Sequence, residues 1–133
     1  MTHHVKTILA NGIVIGILCS LIFAAGTWWR MQNQLALGDD AYRRGDFPGA
    51  VAGYESALHM YIPMHPAMEH AARQLWNIAE YNERIGDITR ALIAYRSLRS
   101  SFYAAHWLIT PGQDWIRRCD MKIAALAPLQ QER

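Results

Sequence analysis

The sequence predicts an all-α protein: one N-terminal transmembrane helix, then a small domain of helical hairpins with a C-terminal capping helix. Three observations support this fold class. An uncharged apolar segment lies near the start of the chain, a set of glycine, aspartate, alanine and tyrosine residues recurs at one offset, and an amphipathic segment lies near the end. In a chain of 133 residues, the part after the apolar segment has the length of one small domain.

The apolar segment extends from Ile8 to Trp29 and contains no charged residue. As a helix rising ~1.5 Å per residue it would reach ~33 Å, enough to cross the ~30 Å hydrocarbon core of a bilayer. Trp28 and Trp29 close the segment and Arg30 follows, as is typical of a membrane interface. We therefore expect a short tail at 1–7, a transmembrane helix at 8–29, and the lipid bilayer as one partner.

A cleaved secretory signal is the alternative interpretation of this segment. Lys6 would then supply the positive charge, and Ala24, Ala25 and Gly26 the cleavage site. The apolar core of a signal is usually about 7–15 residues long, and this segment is longer. Its length favours retention as a single-pass membrane anchor.

The positive charges that flank the anchor nearly balance across it. Lys6 and the α-amino group precede the segment, whereas Arg30, Arg43 and Arg44 follow it. The charges alone therefore leave both orientations open. We expect the tail in the cytoplasm and the domain on the periplasmic side of a bacterial inner membrane, the usual topology of short N-terminal anchors.

Small side chains recur at every fourth position of the predicted anchor. Such a stripe lets two helices approach closely in lipid, as in GxxxG dimers. We expect it to pack against another helix, from a second copy of this chain or from a larger complex, although small residues are also common in any membrane helix. The residues are Gly12, Gly16, Ser20 and Ala24.

An internal repeat occupies the chain after residue 30. A glycine, an aspartate, an alanine and a tyrosine recur at an offset of 41 residues, which indicates duplicated units. Each glycine can end a helix in the left-handed conformation, each aspartate can cap the next helix, and each alanine allows close packing. The predicted framework is Gly38, Gly45, Ala50 and Tyr54 in the first unit and Gly86, Ala91 and Tyr95 in the second.

This pattern resembles the tetratricopeptide repeat, a family of stacked helical hairpins. Residues 31–64 match it well and residues 72–105 less fully, since Ile88 and Leu98 replace an aromatic residue and an alanine. The early tryptophan of the family is absent from both units, and Pro63 lies one residue late. The resemblance implies units at about 31–64 and 66–105; other helical-hairpin repeats share the same packing logic and stay open as alternatives.

The resemblance also implies a protein-binding surface. In the family, the first helix of each unit lines a concave face, and the positions on these helices here are Tyr42, Asn77, Tyr81 and Arg84. The last repeat helix is basic, which indicates either a solvated face or a rim for an acidic partner or lipid headgroups. Its cations are Arg90, Arg96 and Arg99.

Methionine and histidine are frequent between the two units. Pro63 and Pro66 predict that one helix ends and the next begins within this segment. The Met and His spacing fits no recognised metal-ligand pattern, so we favour packing over a metal or cofactor site. The residues are His59, Met60, Met64, His65, Met68 and His70.

The last predicted helix spans 111–127. Thr110 can cap it, Pro111 suits its first position, and Gln113 can complete a capping box. Pro128 should end it, leaving 128–133 as a frayed tail. Its predicted inner stripe is Trp115, Cys119, Ile123 and Leu126.

No motif for phosphate binding, metal binding or nucleophilic hydrolysis is present, so we expect neither an enzyme nor a cofactor. A net charge of +2 is too small to indicate nucleic acid as a partner. The function we expect is a membrane-anchored adaptor or accessory subunit that binds protein partners, other membrane subunits in particular. The alternatives are a self-associating scaffold, a possible homo-oligomer joined through the small-residue stripe, and a metal or cofactor carrier.

Overall fold

The computed structural model describes residues 3–106 and 108–132, and all the regular structure in this part of the chain is helical. A long apolar N-terminal helix is followed by packed helical hairpins, which confirms the all-α prediction at this level. The five helices are α1 (His3–Arg43), α2 (Phe47–His59), α3 (Pro66–Arg84), α4 (Ile88–Ala104) and α5 (Gln113–Gln131).

Helix α1 combines the apolar segment and the first helix of the first hairpin in one uninterrupted element. Its residues are exposed from His3 to Gly26, whereas Met31 and Leu35 are buried in the domain. The tail expected at 1–7 is helical from His3 onward, and residues 1 and 2 lie outside the described part. No break separates the apolar segment from the domain, because residues 27–37 contain neither glycine nor proline.

Two tight turns fold the domain into antiparallel hairpins, α1 with α2 and α3 with α4. Gly45 and Gly86 take the left-handed conformation, with φ of 71° and 81°. Asp46 and Asp87 follow them, and each side chain accepts a hydrogen bond from a backbone N–H of the next helix, at 3.1 and 3.0 Å. The predicted glycine turns and aspartate caps are confirmed.

The hairpins pack through small residues and two buried tyrosines. Helix α2 contacts both α3 and α4, and α5 packs on α4. Ala50, Ala91, Tyr54 and Tyr95 are at most 1 % exposed. The alanines allow the helices to approach closely. The buried tyrosine rings fill the remaining space between the helices at the packing density of a protein interior.

Helix α3 begins at Pro66, as predicted. His65 caps it, since its Nδ1 accepts a hydrogen bond from the backbone N–H of Ala67 at 3.1 Å. Proline suits the first turn of a helix because the N–H that it lacks would have no partner there.

Helix α5 begins later than predicted. Its cap is Gly112, in the left-handed conformation and without a side-chain hydrogen bond, so the prediction of a Thr110 cap is wrong. The Thr110 hydroxyl lies 2.8 Å from Nδ1 of His106 instead. A Cβ on Gly112 would meet the Phe102 ring at 2.4 Å, so this close approach requires glycine.

Helix α5 also continues through Pro128 to Gln131, so the prediction that this proline ends the helix is wrong. Pro128 cannot donate a backbone hydrogen bond to the Ala124 carbonyl, and its ring crowds that carbonyl. Leu126 is buried, and the Gln130 amide reaches Thr89 Oγ1 on α4 at 3.5 Å. These contacts hold the last turn against the domain, and residue 133 lies outside the described part.

Candidate functional site

A cleft of about 350 Å³ opens between the two hairpins, at the end of the domain that carries the glycine turns. Helices α1 to α4 all contribute to its wall, so it exists only because the two hairpins are packed together. The lining residues are Tyr42 from α1, Gly45, Asp46, Phe47 and Ala50 from the first turn and α2, Ile78, Tyr81 and Asn82 from α3, and Arg90 from α4.

Aromatic side chains and one cation dominate this cleft. Tyr42 and Tyr81 stand on different hairpins and are 44 % and 57 % exposed. The Arg90 guanidinium lies 5.2 Å from the centre of the Phe47 ring, and its Nε lies 3.6 Å from the Asp87 carboxylate. Because Arg90 keeps more than half of its side chain exposed, it still has donors for a further acceptor.

The structure brings together three of the seven side chains predicted to bind a partner, namely Tyr42, Tyr81 and Arg90. The spacing of these residues in sequence gives no sign that Arg90 belongs beside the two tyrosines. Their juxtaposition depends on the packing of α4 against α2. Three of the other predicted positions are exposed and do not line the cleft: Asn77, Arg84 and Arg96.

Arg99 joins two helices, which differs from its expected place on an open rim. Its Nε lies 2.6 Å from Oδ1 of Asp120 on α5, and its guanidinium lies 5.3 Å from the centre of the Tyr103 ring. A cation held by a carboxylate and an aromatic face contributes to packing between helices. Arg99 therefore links α4 to α5.

Each repeat tyrosine is hydrogen-bonded to a carboxylate on a neighbouring helix. The Tyr54 hydroxyl donates to Asp39 at 2.6 Å, and the Tyr95 hydroxyl donates to Glu83 at 2.8 Å. Burial raises the pKa of both tyrosines above the ordinary value, and the adjacent carboxylates raise the pKa further because they disfavour a second negative charge. These bonds position α1 and α3, which carry Tyr42 and Tyr81.

Two contacts of α5 were not predicted from the sequence. Lys122 Nζ donates to both Glu83 carboxylate oxygens, at 3.0 and 2.9 Å. The Arg118 guanidinium lies 4.3 Å from the centre of the Trp76 ring and 4.5 Å from that of Trp115. Neither cation belongs to the predicted inner stripe of α5, and only the position of α3 shows what they contact.

The Glu83 carboxylate on α3 is hydrogen-bonded to side chains of both α4 and α5. Partial burial on its own would raise its pKa, but the hydrogen bonds from Lys122 and Tyr95 and the charge of Lys122 favour the anion. The net effect lowers the pKa of Glu83 below its ordinary value of 4.5. Glu83 thereby holds α3, α4 and α5 together as an ionised group.

No other described helix contacts the apolar part of α1 along its small-residue stripe. A Cβ added to Gly12 or Gly16 would meet no heavy atom within 4 Å, and Ala24 is exposed. The Ser20 hydroxyl donates to the Gly16 carbonyl at 2.8 Å, so it is satisfied within the helix. The stripe is therefore open to a further helix.

Helix α1 is the one described helix long and apolar enough to cross a membrane. Its mean hydropathy over 18 residues is 2.4, and none of those residues is buried. Such a helix is consistent with a single membrane span or with a signal sequence. Three exposed residues mark the end of its apolar part: Trp28, Trp29 and Arg30.

The methionine residues between the units differ in how far they are buried. Met68 is buried and Met60 is partly buried against the core, whereas Met64 is fully exposed. Packing therefore accounts for two of these methionines and not for the third. Within residues 3–106 and 108–132, no group of three or more His, Cys, Asp and Glu side chains is arranged to hold a metal ion.

No protein-family model, curated protein or solved structure matches this chain. The chain is an all-helical protein with a long apolar N-terminal helix, and no family is assigned to it. Its function is inferred from the cleft, the apolar helix and the loops that connect the helices.

Proposed function

We propose that this chain is a non-enzymatic membrane-anchored adaptor or accessory subunit that binds a protein partner within a larger membrane complex. In this proposal α1 crosses a bacterial inner membrane once, through residues 8–29, and the domain lies on the periplasmic side. The complete exposure of the apolar part of α1 supports the span, as do Trp28 and Trp29 at its end. Apolar surface of this extent is unfavourable in water.

The proposed architecture of the domain is a two-unit tetratricopeptide-like array, with units at 31–64 and 66–105 and α5 as the capping helix. Two consecutive hairpins support it, each with a left-handed glycine turn, a capping aspartate, a buried alanine and a buried tyrosine at one offset. In repeat arrays each unit buries its apolar face on the next, and a terminal helix covers the last one. Helix α5 covers α4 in this way.

The observation that carries the proposed function is the cleft between the hairpins. Tyr42 and Tyr81 are large, exposed and held on separate helices, and Arg90 lies beside them. Tyrosine and arginine are among the residue types that contribute most to the binding energy of protein interfaces. A cleft of about 350 Å³ has the size for one or two side chains of a partner.

The chemistry of the cleft indicates the kind of segment it would accept. An apolar side chain would enter between the two tyrosine rings, where it would lose contact with water. A carboxylate beside it would form a charge-assisted hydrogen bond with Arg90. We therefore propose that the partner presents an apolar residue next to an acidic one.

Photo-crosslinking tests this proposal in the full-length chain. A photoreactive amino acid in place of Tyr81 should capture one specific polypeptide when the chain is expressed at its native level. Tyr42→Ala should abolish that product because it removes the opposite wall of the cleft. Mass spectrometry then identifies the captured protein.

A probe at Tyr103 is the matched control, because this tyrosine is 48 % exposed and lies outside the cleft. The same product from both positions, or a product that is insensitive to Tyr42→Ala, would contradict binding in the cleft. Absence of any product from Tyr81 would contradict the adaptor role itself.

Self-association through α1 is a second candidate function, and the open stripe at Gly12 and Gly16 favours it. Close contact of two such stripes in lipid is stabilised by packing. Gly16→Leu should then abolish a cysteine-independent crosslinked dimer in membranes, since a large side chain prevents close approach. Gly26→Leu is the control, because Gly26 is equally open but lies off the stripe. An unchanged dimer in Gly16→Leu would exclude this function.

A further inference from the structure

Two connecting loops lie together at the end of the domain opposite the cleft. They join α2 to α3 (residues 60–65) and α4 to α5 (residues 105–112, of which 107 is not described). Since α2 and α4 both run back along their hairpins, their C-terminal ends meet at this end. Residues of the two loops line a shared cavity of about 490 Å³, among them Tyr61, Pro63, Leu108 and Ile109. We call these two loops the loop platform.

The loop platform lies level with the end of the apolar part of α1. Nε1 of Trp28 lies 3.3 Å from Nε2 of His65, in the first loop. A neutral imidazole accepts a hydrogen bond at only one nitrogen, and Nδ1 of His65 already accepts one from α3. Trp28 and His65 are therefore in close contact without a hydrogen bond between them. The helix lengths agree with this position of the loop platform. Helix α2 has 13 residues and spans ~20 Å, and the part of α1 from residue 31 to 43 has the same length.

Among the described residues of the loop platform, the exposed side chains are apolar except for His106, which contacts Thr110. Met64 is 100 % exposed, Leu108 78 % and Ile109 81 %. Met64 has a φ of 60°, a conformation that residues other than glycine rarely adopt, so the loop backbone is built to turn at this exposed side chain. Large apolar side chains exposed to this degree and grouped on one surface indicate contact with a partner or a membrane.

Charge is distributed unevenly between the two ends of the domain. No aspartate, glutamate, lysine or arginine occurs from residue 56 to 68 or from 100 to 113, the stretches that contain the loop platform. The turns at the opposite end are rich in charge, with Arg43, Arg44 and Asp46 in one and Glu83, Arg84 and Asp87 in the other. A charge-free surface next to an apolar helix suits a lipid interface, where ionised side chains are costly.

We propose that the loop platform rests in the interfacial region of the bilayer that α1 spans, with Met64, Leu108 and Ile109 in contact with lipid. This inference rests on the proposed membrane span. Lipid is the occupant that the geometry favours, because the platform continues the apolar surface of α1 at the height of Trp28. The domain then stands upright on the membrane, and its cleft opens on the side away from the bilayer.

Lipid-quenching of site-specific fluorophores tests this inference in the full chain, reconstituted into phosphatidylcholine vesicles. A polarity-sensitive fluorophore is attached through a cysteine at Ile109 in a Cys19→Ser background. The remaining Cys119 is fully buried, and burial raises its pKa to about 12, so it does not compete for the reagent at neutral pH. Lipids that carry a nitroxide near the headgroup serve as the quencher.

The label at Ile109 should shift its emission to shorter wavelength and lose intensity when nitroxide lipids are present. A label at Met64 should behave in the same way. Ile85 is the matched control, since it is an isoleucine that is 59 % exposed in the turn at the opposite end. Its emission should remain that of a label in water and should not be quenched.

A label at Ile13, within the apolar part of α1, separates the two proposals. If Ile13 is quenched while Ile109 and Met64 behave like Ile85, the contact with lipid is overturned and the span stands. If Ile13 itself is not quenched, the span is overturned, and the present inference with it. A blue shift at Ile109 without quenching by lipid would assign the platform to contact with a second copy and would overturn the lipid contact.

Discussion

Gly53 shows how a single residue decides the geometry of the first hairpin. A Cβ at this position would lie 2.5 Å from the Cα and 2.6 Å from the backbone nitrogen of Gly38. Both atoms belong to the backbone of α1, so no side chain can rotate away. The repeat pattern singled out Gly38 and missed Gly53, because a glycine inside one helix gives no sign of what faces it.

Gly53→Ala should lower the free energy of unfolding by about 1–3 kcal/mol, because α1 and α2 must separate to admit the methyl group. This loss should exceed the gain of up to ~1 kcal/mol in helix propensity that alanine brings. Denaturant unfolding in detergent, followed by circular dichroism, measures the change. Gly16→Ala adds the same methyl group where nothing lies within 4 Å, so it should leave unfolding of the domain unaffected. Equal stability of the Gly53→Ala variant and the wild type would show that the helices do not touch here.

At the scale of elements, α5 depends on contacts with α3 and α4 that its own sequence does not reveal. Glu83 on α3 accepts from Lys122 on α5 and from Tyr95 on α4. Arg99 and Asp120 form a second link between α4 and α5. Helix α5 is thus held by ion pairs on its polar side and by buried residues along its apolar stripe, which includes Cys119 and Leu126.

The Glu83 junction predicts a pH dependence of stability. The folded-state pKa of Glu83 lies below its ordinary value of 4.5, so the unfolded state binds the proton more readily. The stabilisation is therefore present above pH 4.5 and is lost as pH falls through the folded-state pKa. Glu83→Gln should weaken the decline of the thermal midpoint between neutral and acidic pH, as measured by circular dichroism.

Glu80→Gln is the control for this measurement. Glu80 lies on the same helix and, among the described residues, makes no hydrogen bond to α5, so its variant should keep the decline of the wild type.

Asp39 has a lowered pKa as well, because its hydrogen bonds to Tyr54 and His70 outweigh partial burial. Some pH dependence should therefore remain in Glu83→Gln, and an unchanged decline in that variant would contradict the role of Glu83.

At the scale of the whole molecule, α1 is one uninterrupted helix shared by the apolar segment and the domain. The domain is then fixed in its height and tilt relative to the apolar segment, unlike a domain on a flexible linker. The height of the cleft and of the loop platform relative to the apolar segment depends on this continuity. The helix therefore determines where both ends of the domain lie relative to the apolar segment.

Spin labels at Ile22 and Tyr42 test this continuity. Twenty helical residues span ~30 Å, so pulsed electron paramagnetic resonance of the full chain in vesicles should give one narrow distance near that value. Labels at Leu9 and Trp29 have the same separation within the apolar part and provide the control. A shorter or broader distance in the first pair alone would show that the helix bends or breaks between the segment and the domain.

Several features of the fold could be predicted from the sequence because they are local. The length of an apolar run, a glycine that enters the left-handed conformation and an aspartate that caps the next helix all act within a few residues, as at Gly45 and Asp46. The same holds for Pro66 at the start of α3. The two hairpins and their inward-facing tyrosines follow from such local rules applied twice.

Other features were decided only by the packing of distant segments. Helix α5 begins after Gly112, which lies against the Phe102 ring, and continues beyond Pro128, where Gln130 contacts α4. Likewise, the cleft residues meet only because α4 lies against α2. Short-range preferences of about 1 kcal/mol determine helix boundaries and turns, but they yield to the larger energies of packing, and which side chains meet depends on the arrangement of all five helices.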